Sequence, residues 1–380
     1  MPVDYEQLKA QISNAGGILH SRFQEKDLEK KRMLTVFEWV SKDPDVLEKL
    51  ETFQQKHPND RFAMPWEEPM WKFFPEPKLS PEKKIRLLAC DGSQINPSRH
   101  DEIPFGMINT AVVQYTSRSS DAPKIETFTQ LLEFDPMLSE DEVASRRDMA
   151  EKDSLAQVAK TLDDEIPTYA LSDGSLELFS EKRDYADYSE LESQYIRCMS
   201  SLVKMEIPAV GYIDRPYSKT VLRMLKLLSN SEAEEAQGKG VDLICDSDLF
   251  QELLRPGERS AVFQMNSQTN SSLPEDLRIC FFYINVGSQK HPAIARVELP
   301  LWALGTPTIL SWLHFSILEQ CRFMMDCPYP YILNRAHESA VITNGEKKRI
   351  QEMLSRELMM RGMAPGERSN KQLGKDLMKA

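Results

Sequence analysis

The sequence predicts an α/β fold, a mixed sheet flanked by helices, with further helices at both ends of the chain. Three observations predict it. Three strand-like runs, IRLLAC, MINTAVVQY and IETFTQLLEF, follow one another from residue 85 with only turn-rich or polar segments between them. A charged helical stretch, a short apolar strand, a second helix and another strand come next, which gives the order β-β-β-α-β-α-β. The chain of 380 residues, 41% of them hydrophobic, is also long enough to bury a full core.

Residues 5 to 56 read as helical, with Leu34, Val36, Phe37, Val40, Leu47 and Leu50 at spacings of three and four among many charges. The stretch 57–82 is rich in proline and holds two tryptophans, which suits an irregular connector packed by its aromatic rings. A division into an N-terminal extension over 1–82, a main domain over 83–362 and a polar tail over 363–380 follows. The three consecutive strands predict an antiparallel meander. A charged helix is expected from about 139 to 163, a strand at TYALSD, a helix near 188–205 and a strand at IPAVGYID. Then come a helix at SKTVLRMLKLLS, an acidic insert near 231–237 and a helix ending at Pro256-Gly257. Strands return at AVFQM, RICFFYINV and AIARVEL, and helices close the chain at about 307–326 and 335–361.

No apolar run reaches the roughly 20 residues that span a bilayer, and the N-terminus has no basic-then-apolar leader pattern, so a cytoplasmic location is expected. The six cysteines are scattered, without the close pairs of a zinc or disulfide framework, and read as reduced core residues. A net charge of −12 works against general polyanion binding. It is compatible with a site whose carboxylates are neutralised by metal ions while basic side chains line the substrate groove. There is no phosphate-cradling glycine loop of the Walker type, no dinucleotide fingerprint, no nucleophile elbow and no H-E-x-x-H pair, which argues against ATP hydrolysis.

Two Asp-Gly-Ser tripeptides carry the chemistry. Asp91-Gly92-Ser93 follows IRLLAC and Asp173-Gly174-Ser175 closes YALS, so both aspartates are expected at strand ends of one sheet. Either tripeptide alone reads as a turn; their repetition at matching places favours a shared acidic site. Phosphodiester chemistry with divalent ions needs more than two carboxylates aimed at one point. The helix between the two strands offers Glu140, Asp141, Glu142, Asp148, Glu151, Asp153, Asp163, Asp164 and Glu165, most of them a solvated face. Glu151 is preferred because Val143, Arg147, Ala150 and Leu155 place it at the apolar border, with Asp153 as the substitute. Asp214-Arg215, at the end of a third strand, reads either as a structural ion pair or as a phosphate contact. Arg259, in the turn RPGERS, reads either as a loop cap or as a backbone contact. His337 alone would be an ordinary hydrogen-bonded or surface histidine.

In this order the segments ACDGSQ, the Glu-bearing helix, ALSDGSLEL, AVGYIDRP, DLFQELLRPGERSAVF, IARVELPLW and PYPYILNRAHESAVI resemble the NurA nuclease family over about 85–345. The resemblance implies an RNase H-like fold, manganese- or magnesium-dependent cleavage of DNA, a homodimer, and work with a hexameric HerA-type translocase on broken DNA ends. It also implies metal ligands at Asp91, Glu151 and Asp173, an active-site histidine at His337 and an active-site tyrosine at Tyr329. Arg215 and Arg259 are then candidate phosphate contacts. A catalytically silent RNase H-like adaptor that binds a translocase or a DNA end is the alternative, and a phosphohydrolase acting on small phosphates is a third reading. The first 80 residues and the acidic insert lie outside the family pattern.

Overall fold

The computed structural model describes residues 3–80, 82–132, 134, 138–162, 165–177, 188–229 and 243–363. The acidic insert near 231–237, Asp163, Asp164 and the tail beyond residue 363 lie outside them. The described strands form a nine-stranded mixed sheet whose strands lie in the order 62–65, 263–266, 279–285, 294–300, 209–214, 168–173, 86–95, 107–116 and 124–131. The chain divides into two compact units, Met1–Lys78 with Tyr212–Leu318, and Leu79–Gly211 with Glu319–Ala380.

The second unit holds the expected meander. β2 (Arg86–Ile95) pairs antiparallel with β3 (Met107–Thr116), which pairs antiparallel with β4 (Lys124–Leu131). After α3 (Glu140–Ala159) the chain returns as β5 (Thr168–Asp173), parallel to β2, and α4 (Tyr188–Lys204) leads into β6 (Ala209–Asp214). A parallel return requires a crossover, and α3 supplies it. Strand order β6-β5-β2-β3-β4 with this connectivity is the RNase H-like arrangement, as expected. α3 begins at a capping box: the Ser139 hydroxyl accepts from Glu142 N–H, and the Glu142 side chain accepts from the Ser139 backbone.

The C-terminal helices α9 (Tyr331–Ala340) and α10 (Asn344–Met360) belong to the same unit. The sequence suggested one helix over 335–361. It breaks at 341–343 because Thr343 and Glu346 form a second capping box that restarts the helix, a T-x-x-E signal present in the sequence. Ile342, Ile350 and Leu354 pack on Ile95, Phe105 and Met107, so these helices roof the far half of β2 and β3.

The first unit contains α1 (Tyr5–Val40), α2 (Val46–Lys56) and β1 (Phe62–Pro65), together with α5 (Thr220–Leu228), α6 (Asp246–Leu253) and β7 (Phe263–Asn266). The short α7 (Gln268–Ser272), β8 (Ile279–Asn285), β9 (Ile294–Pro300) and most of α8 (Pro307–Phe323) complete it. The connector 57–82 is thus not wholly irregular, because β1 pairs antiparallel with β7. Nor is 1–82 a separate extension followed by one domain. Met33, Phe37 and Val40 of α1 join one core with Val221, Leu225, Phe250, Phe263 and Phe281, so the N-terminal helices are built into the same core as residues 212–318.

All six cysteines are free thiols. Cys90, Cys198, Cys280 and Cys321 are buried, whereas Cys245 is half-buried beside Asp248 and Cys327 is exposed in the turn before α9. These two depart from the core reading because neither lies inside an apolar element. Among the described residues no helix is long and apolar enough to cross a membrane.

Candidate active site

β2 is the centre of the site, and Asp91 lies in its middle rather than at its end. The strand-end reading fails because pairing with β3 continues through Asp91, opposite Ala111, as far as Ile95. What ends there is the other ladder: β5 pairs with β2 only as far as Ser172 opposite Cys90. From Asp91 onward that edge of β2 has lost its β5 partner, and Asp173 is the last residue of β5. The register therefore brings the two aspartates to the same level of the sheet.

Side chains alternate across a strand, so Asp91 and Ser93 share one face of β2 while Gly92 has the other. Asp91 and Ser93 meet α9: His337 Nδ1 is 2.6 Å from Asp91 Oδ2, and Ser93 Oγ donates to the Ala340 carbonyl at 2.5 Å. Asn109 Nδ2 on β3 donates to the same carbonyl at 2.9 Å. Ser93 and Asn109 thus fix the end of α9 that carries His337. Sequence reasoning missed both, and nothing local marks them, since their common acceptor lies more than 200 residues away. The other Asp91 oxygen accepts from Gly92 N–H at 2.8 Å. A carboxylate oxygen only accepts, so the His337 proton lies on Nδ1 and Nε2 is left for another partner. His337 is 69% exposed along its side chain, which opens that nitrogen to solvent.

On the opposite face Glu151 of α3 reaches Gly92. A Cβ built on Gly92 would lie 2.7 Å from Glu151 Oε1 and 2.9 Å from Arg147 Cγ, so only glycine admits the carboxylate there. Glu151 is buried, and burial raises its carboxyl to about 7. Lys152 and Arg147 pull it down, while the charges of Asp148 and Asp91 push it further up. Arg147 Nε stands 3.4 Å from Glu151 Oε1, too long for the full compensation that a buried anion requires. Asp153, the substitute, instead accepts from Gln157 Nε2 at 2.7 Å on an exposed part of α3.

Asp173 is exposed at the head of a turn whose Gly174 has φ +93°. Two contacts hold that turn. Tyr195 of α4 donates its hydroxyl to the Leu176 carbonyl at 2.7 Å, and Gly211 of β6 comes so close that a Cβ there would lie 2.7 Å from the Gly174 carbonyl oxygen. Tyr329 is half-buried in the turn before α9. Among the described residues, no three His, Cys, Asp or Glu side chains already surround a common point as ligands to an ion would. The structure brings Asp91, His337 and Glu151 to one short stretch of β2, with Asp91 and Glu151 on its two faces.

Arg215 and Arg259 belong to the first unit and differ from each other. Arg215 is 88% exposed with φ +44°, and its nearest carboxylate oxygen, on Asp214, is 4.0 Å away. Arg259 is buried: it forms a two-pronged pair with Glu68 at 2.8 Å for each contact, donates to the Ser260 carbonyl and lies 4.0 Å over the Phe74 ring. The expectation of a phosphate contact at Arg259 is corrected, because its donors are spent on holding the connector to the loop before β7.

Fold and site together define an α/β protein with an RNase H-like sheet whose central strand carries a carboxylate–imidazole pair and adjoins a buried glutamate. The family model described as the NurA domain matches residues 85–342, and the chain belongs to that family. No curated protein matches the chain. It is similar to the crystal structure of the NurA nuclease from Sulfolobus solfataricus, with 13% identity, coverage of 95% of this chain and 98% of that chain, and a TM-score of 0.48. It is also similar to a crystal structure of NurA bound to dAMP and manganese, with 14% identity, coverage of 80% and 92%, and a TM-score of 0.35. A third likeness is to the catalytic domain of human endonuclease V, with 13% identity, coverage of 82% and 96%, and a TM-score of 0.31.

Proposed function

We propose that this chain is a divalent-metal-dependent deoxyribonuclease, with manganese or magnesium held by Asp91, Glu151 and Asp173. The observation that carries the reading is that Asp91 and Glu151 approach the same point of β2 from its two faces, where the β5 ladder stops and opens the strand edge. The residues fit a hard divalent cation. They are oxygen donors beside one imidazole, and Glu151 is a buried carboxyl that burial lifts to about 7, which a nearby cation would return to its ionised form. When bound, the ion supplies positive charge that stabilises the phosphodiester's developing negative charge and favours ionisation of water.

The chain's own groups do the remaining work. Asp91 is oriented by Gly92 N–H and by His337, so it presents a fixed carboxylate. His337 keeps Nδ1–H on Asp91, and its exposed Nε2 is available to exchange a proton with the substrate or its leaving oxygen. Tyr329 is assigned to the active site by the family pattern. Arg215 remains a phosphate contact in this reading, since its guanidinium is exposed.

Membership of the NurA family supports a finer reading: processing of DNA ends at double-strand breaks, in the cytoplasm, as a homodimer and with a HerA-type translocase. The primary test is incubation of purified protein with labelled single- and double-stranded DNA, with and without manganese. Manganese-dependent cleavage that Asp91→Asn eliminates is expected, and cleavage by Asp91→Asn equal to that of the unchanged protein would refute the reading. Light scattering tests the dimer, and co-elution with a HerA-type hexamer tests the partnership.

A further inference from the structure

β4 closes one edge of the sheet, and among the described residues no strand pairs with its outer side. Every residue of β4 is exposed except Phe128, which is half-buried. Ile125 and Leu131, 42% and 46% exposed, put apolar surface near its two ends. Its ladder with β3 runs from Met107↔Leu131 to Gln114↔Lys124 without a bulge, and Lys124–Leu131 contains no proline. Natural edge strands are blunted by proline, bulges or charge, because open N–H and C=O groups invite another strand. The charges of β4 are Lys124 and Glu126, which cancel, so it is a neutral strip on a chain of net charge −12. Two acidic molecules can meet along it without opposing like charges.

The ladder fixes which backbone groups are open. Leu132 N–H donates to the Gly106 carbonyl at 2.9 Å, which makes 106 and 132 a hydrogen-bonded pair in the register of β3 and β4. Such pairs alternate along an antiparallel ladder, so the even-numbered residues of β4 turn their N–H and C=O groups toward β3. The odd-numbered ones, Ile125, Thr127, Thr129 and Leu131, turn theirs outward. The other side of β3 agrees: Ser117 N–H donates to the Ile85 carbonyl, so odd-numbered residues of β3 serve β2 and even-numbered ones serve β4. A second copy of β4 laid antiparallel can then bond only odd-numbered to odd-numbered residues. The register that uses all of them sets Ile125 opposite Leu131 and Thr127 opposite Thr129, with Phe128 on the two-fold axis. Apolar meets apolar, hydroxyl meets hydroxyl, ring meets ring, and Glu126 meets the amide of Gln130. That self-complementarity is what a two-fold contact between identical patches requires, and it singles out a second copy over an unrelated strand.

We propose that two copies of this chain join through the outer edges of β4, antiparallel about a two-fold axis at Phe128, into one continuous sheet. The proposal rests on the homodimer reading above and deepens it by naming the interface. Asp91 lies opposite Ala111, and Ala111 opposite Thr127, so Ile125, Thr127, Thr129 and Leu131 share the sheet face of Asp91. An axis perpendicular to the sheet keeps that face on one side in both copies. The two β2 strands are then about five strand spacings apart, roughly 24 Å, with both Asp91 side chains on the same face. Thr129 Oγ1 donates to Asn109 Oδ1 at 2.7 Å, and Asn109 fastens α9 through the Ala340 carbonyl, so the joined edge adjoins the support of His337.

The test is sedimentation equilibrium of the full chain, with oxidative cross-linking in a Cys327→Ser background that removes the exposed native thiol. Ile125→Lys/Leu131→Lys sets lysine against lysine at both ends of the paired edge and should raise the dimer Kd at least about tenfold. Ile125→Lys/Leu131→Glu sets lysine against glutamate in this register and should stay within about threefold of the unchanged chain. Phe128→Cys should give a disulfide-linked dimer on mild oxidation, because the Cα atoms of a non-hydrogen-bonded pair lie about 4.5 Å apart, within disulfide reach. Gln130→Cys should not, since that position faces Glu126 of the second copy. Matched circular dichroism should show every variant folded. A monomeric unchanged chain would overturn the second copy as the occupant, and the homodimer reading would fall with it. A dimer that Ile125→Lys/Leu131→Lys leaves intact, or that Gln130→Cys links as readily as Phe128→Cys, would overturn the β4 interface and leave the homodimer reading standing.

Discussion

Asp91 has both carboxylate oxygens engaged, one by the Gly92 N–H and one by His337 Nδ1 at 2.6 Å. Asp91→Asn keeps the volume but replaces one acceptor oxygen with a donor that faces the imidazole N–H, so cleavage should fall by at least about a hundredfold while stability changes by about 1 kcal/mol or less. Steady-state rates and urea unfolding of the purified variant check both halves. His337→Ala should lower the rate and leave the fold, since that ring is mostly exposed. Glu151 yields a pH prediction. Its carboxyl titrates near 7 in the folded chain against 4.5 ordinarily, so the folded state binds the extra proton between those values. The sign follows from linkage: this group's contribution is most favourable below about 4.5 and is lost as pH rises through about 7. Metal-free Glu151→Gln should therefore gain stability relative to the unchanged chain as pH is raised from about 5 to about 8, read as the difference in urea midpoints. A difference that stays constant over that range would contradict the burial assigned to Glu151. Manganese should reverse the ranking, because the ion favours the charged carboxylate that the glutamine cannot supply.

Two glycines show how neighbouring elements place these groups, and they make opposite demands. At Gly92 a methyl group would meet side-chain atoms rather than backbone, the buried Glu151 carboxylate oxygen at 2.7 Å and the Arg147 stem carbon Cγ at 2.9 Å. Gly92→Ala should thus cost about 1–2 kcal/mol as the two side chains shift, displace Glu151 from β2 and cut cleavage severely. At Gly211 the methyl would meet backbone, the Gly174 carbonyl at 2.7 Å and Leu176 N at 3.2 Å. Gly211→Ala must part β6 from the turn after β5, so a loss of about 1–3 kcal/mol is expected together with misplacement of Asp173. Thermal melts and cleavage rates together separate the two variants, because Gly92→Ala is expected to lose more activity for the stability it loses than Gly211→Ala does. The same contrast explains why Glu151, but not Asp153, reaches β2 from α3. Two residues along a helix turn the side chain by about 200°, which sends Asp153 toward Gln157 and solvent.

Across the molecule, segments far apart in sequence complete each unit, and two truncations should behave oppositely. Removing residues 1–24 should leave the melting temperature almost unchanged, since the first buried residue of α1 is Met33. A chain ending at Leu318 loses α9 and α10, uncovering Ile95, Phe105 and Met107 at roughly 1.5–3 kcal/mol per side chain, and should expose the second unit to protease. The sequence by itself determined the element order from β2 to β6, the meander, the helical crossover through α3, and the Asp173-Gly174-Ser175 turn. Alternating and helical periodicities, turn residues and capping boxes are local signals, and these features depend on them. Membership of the NurA family was legible in the order of its motifs. Only the tertiary structure decided that Asp91 lies inside β2, that Ser93 and Asn109 fasten α9, that Arg259 is consumed by Glu68, and that α1 shares a core with residues 212–318. Each of these depends on partners brought together by sheet register and core packing. No local pattern records which of several plausible partners a side chain will meet, because that choice is made by long-range burial after the elements have formed.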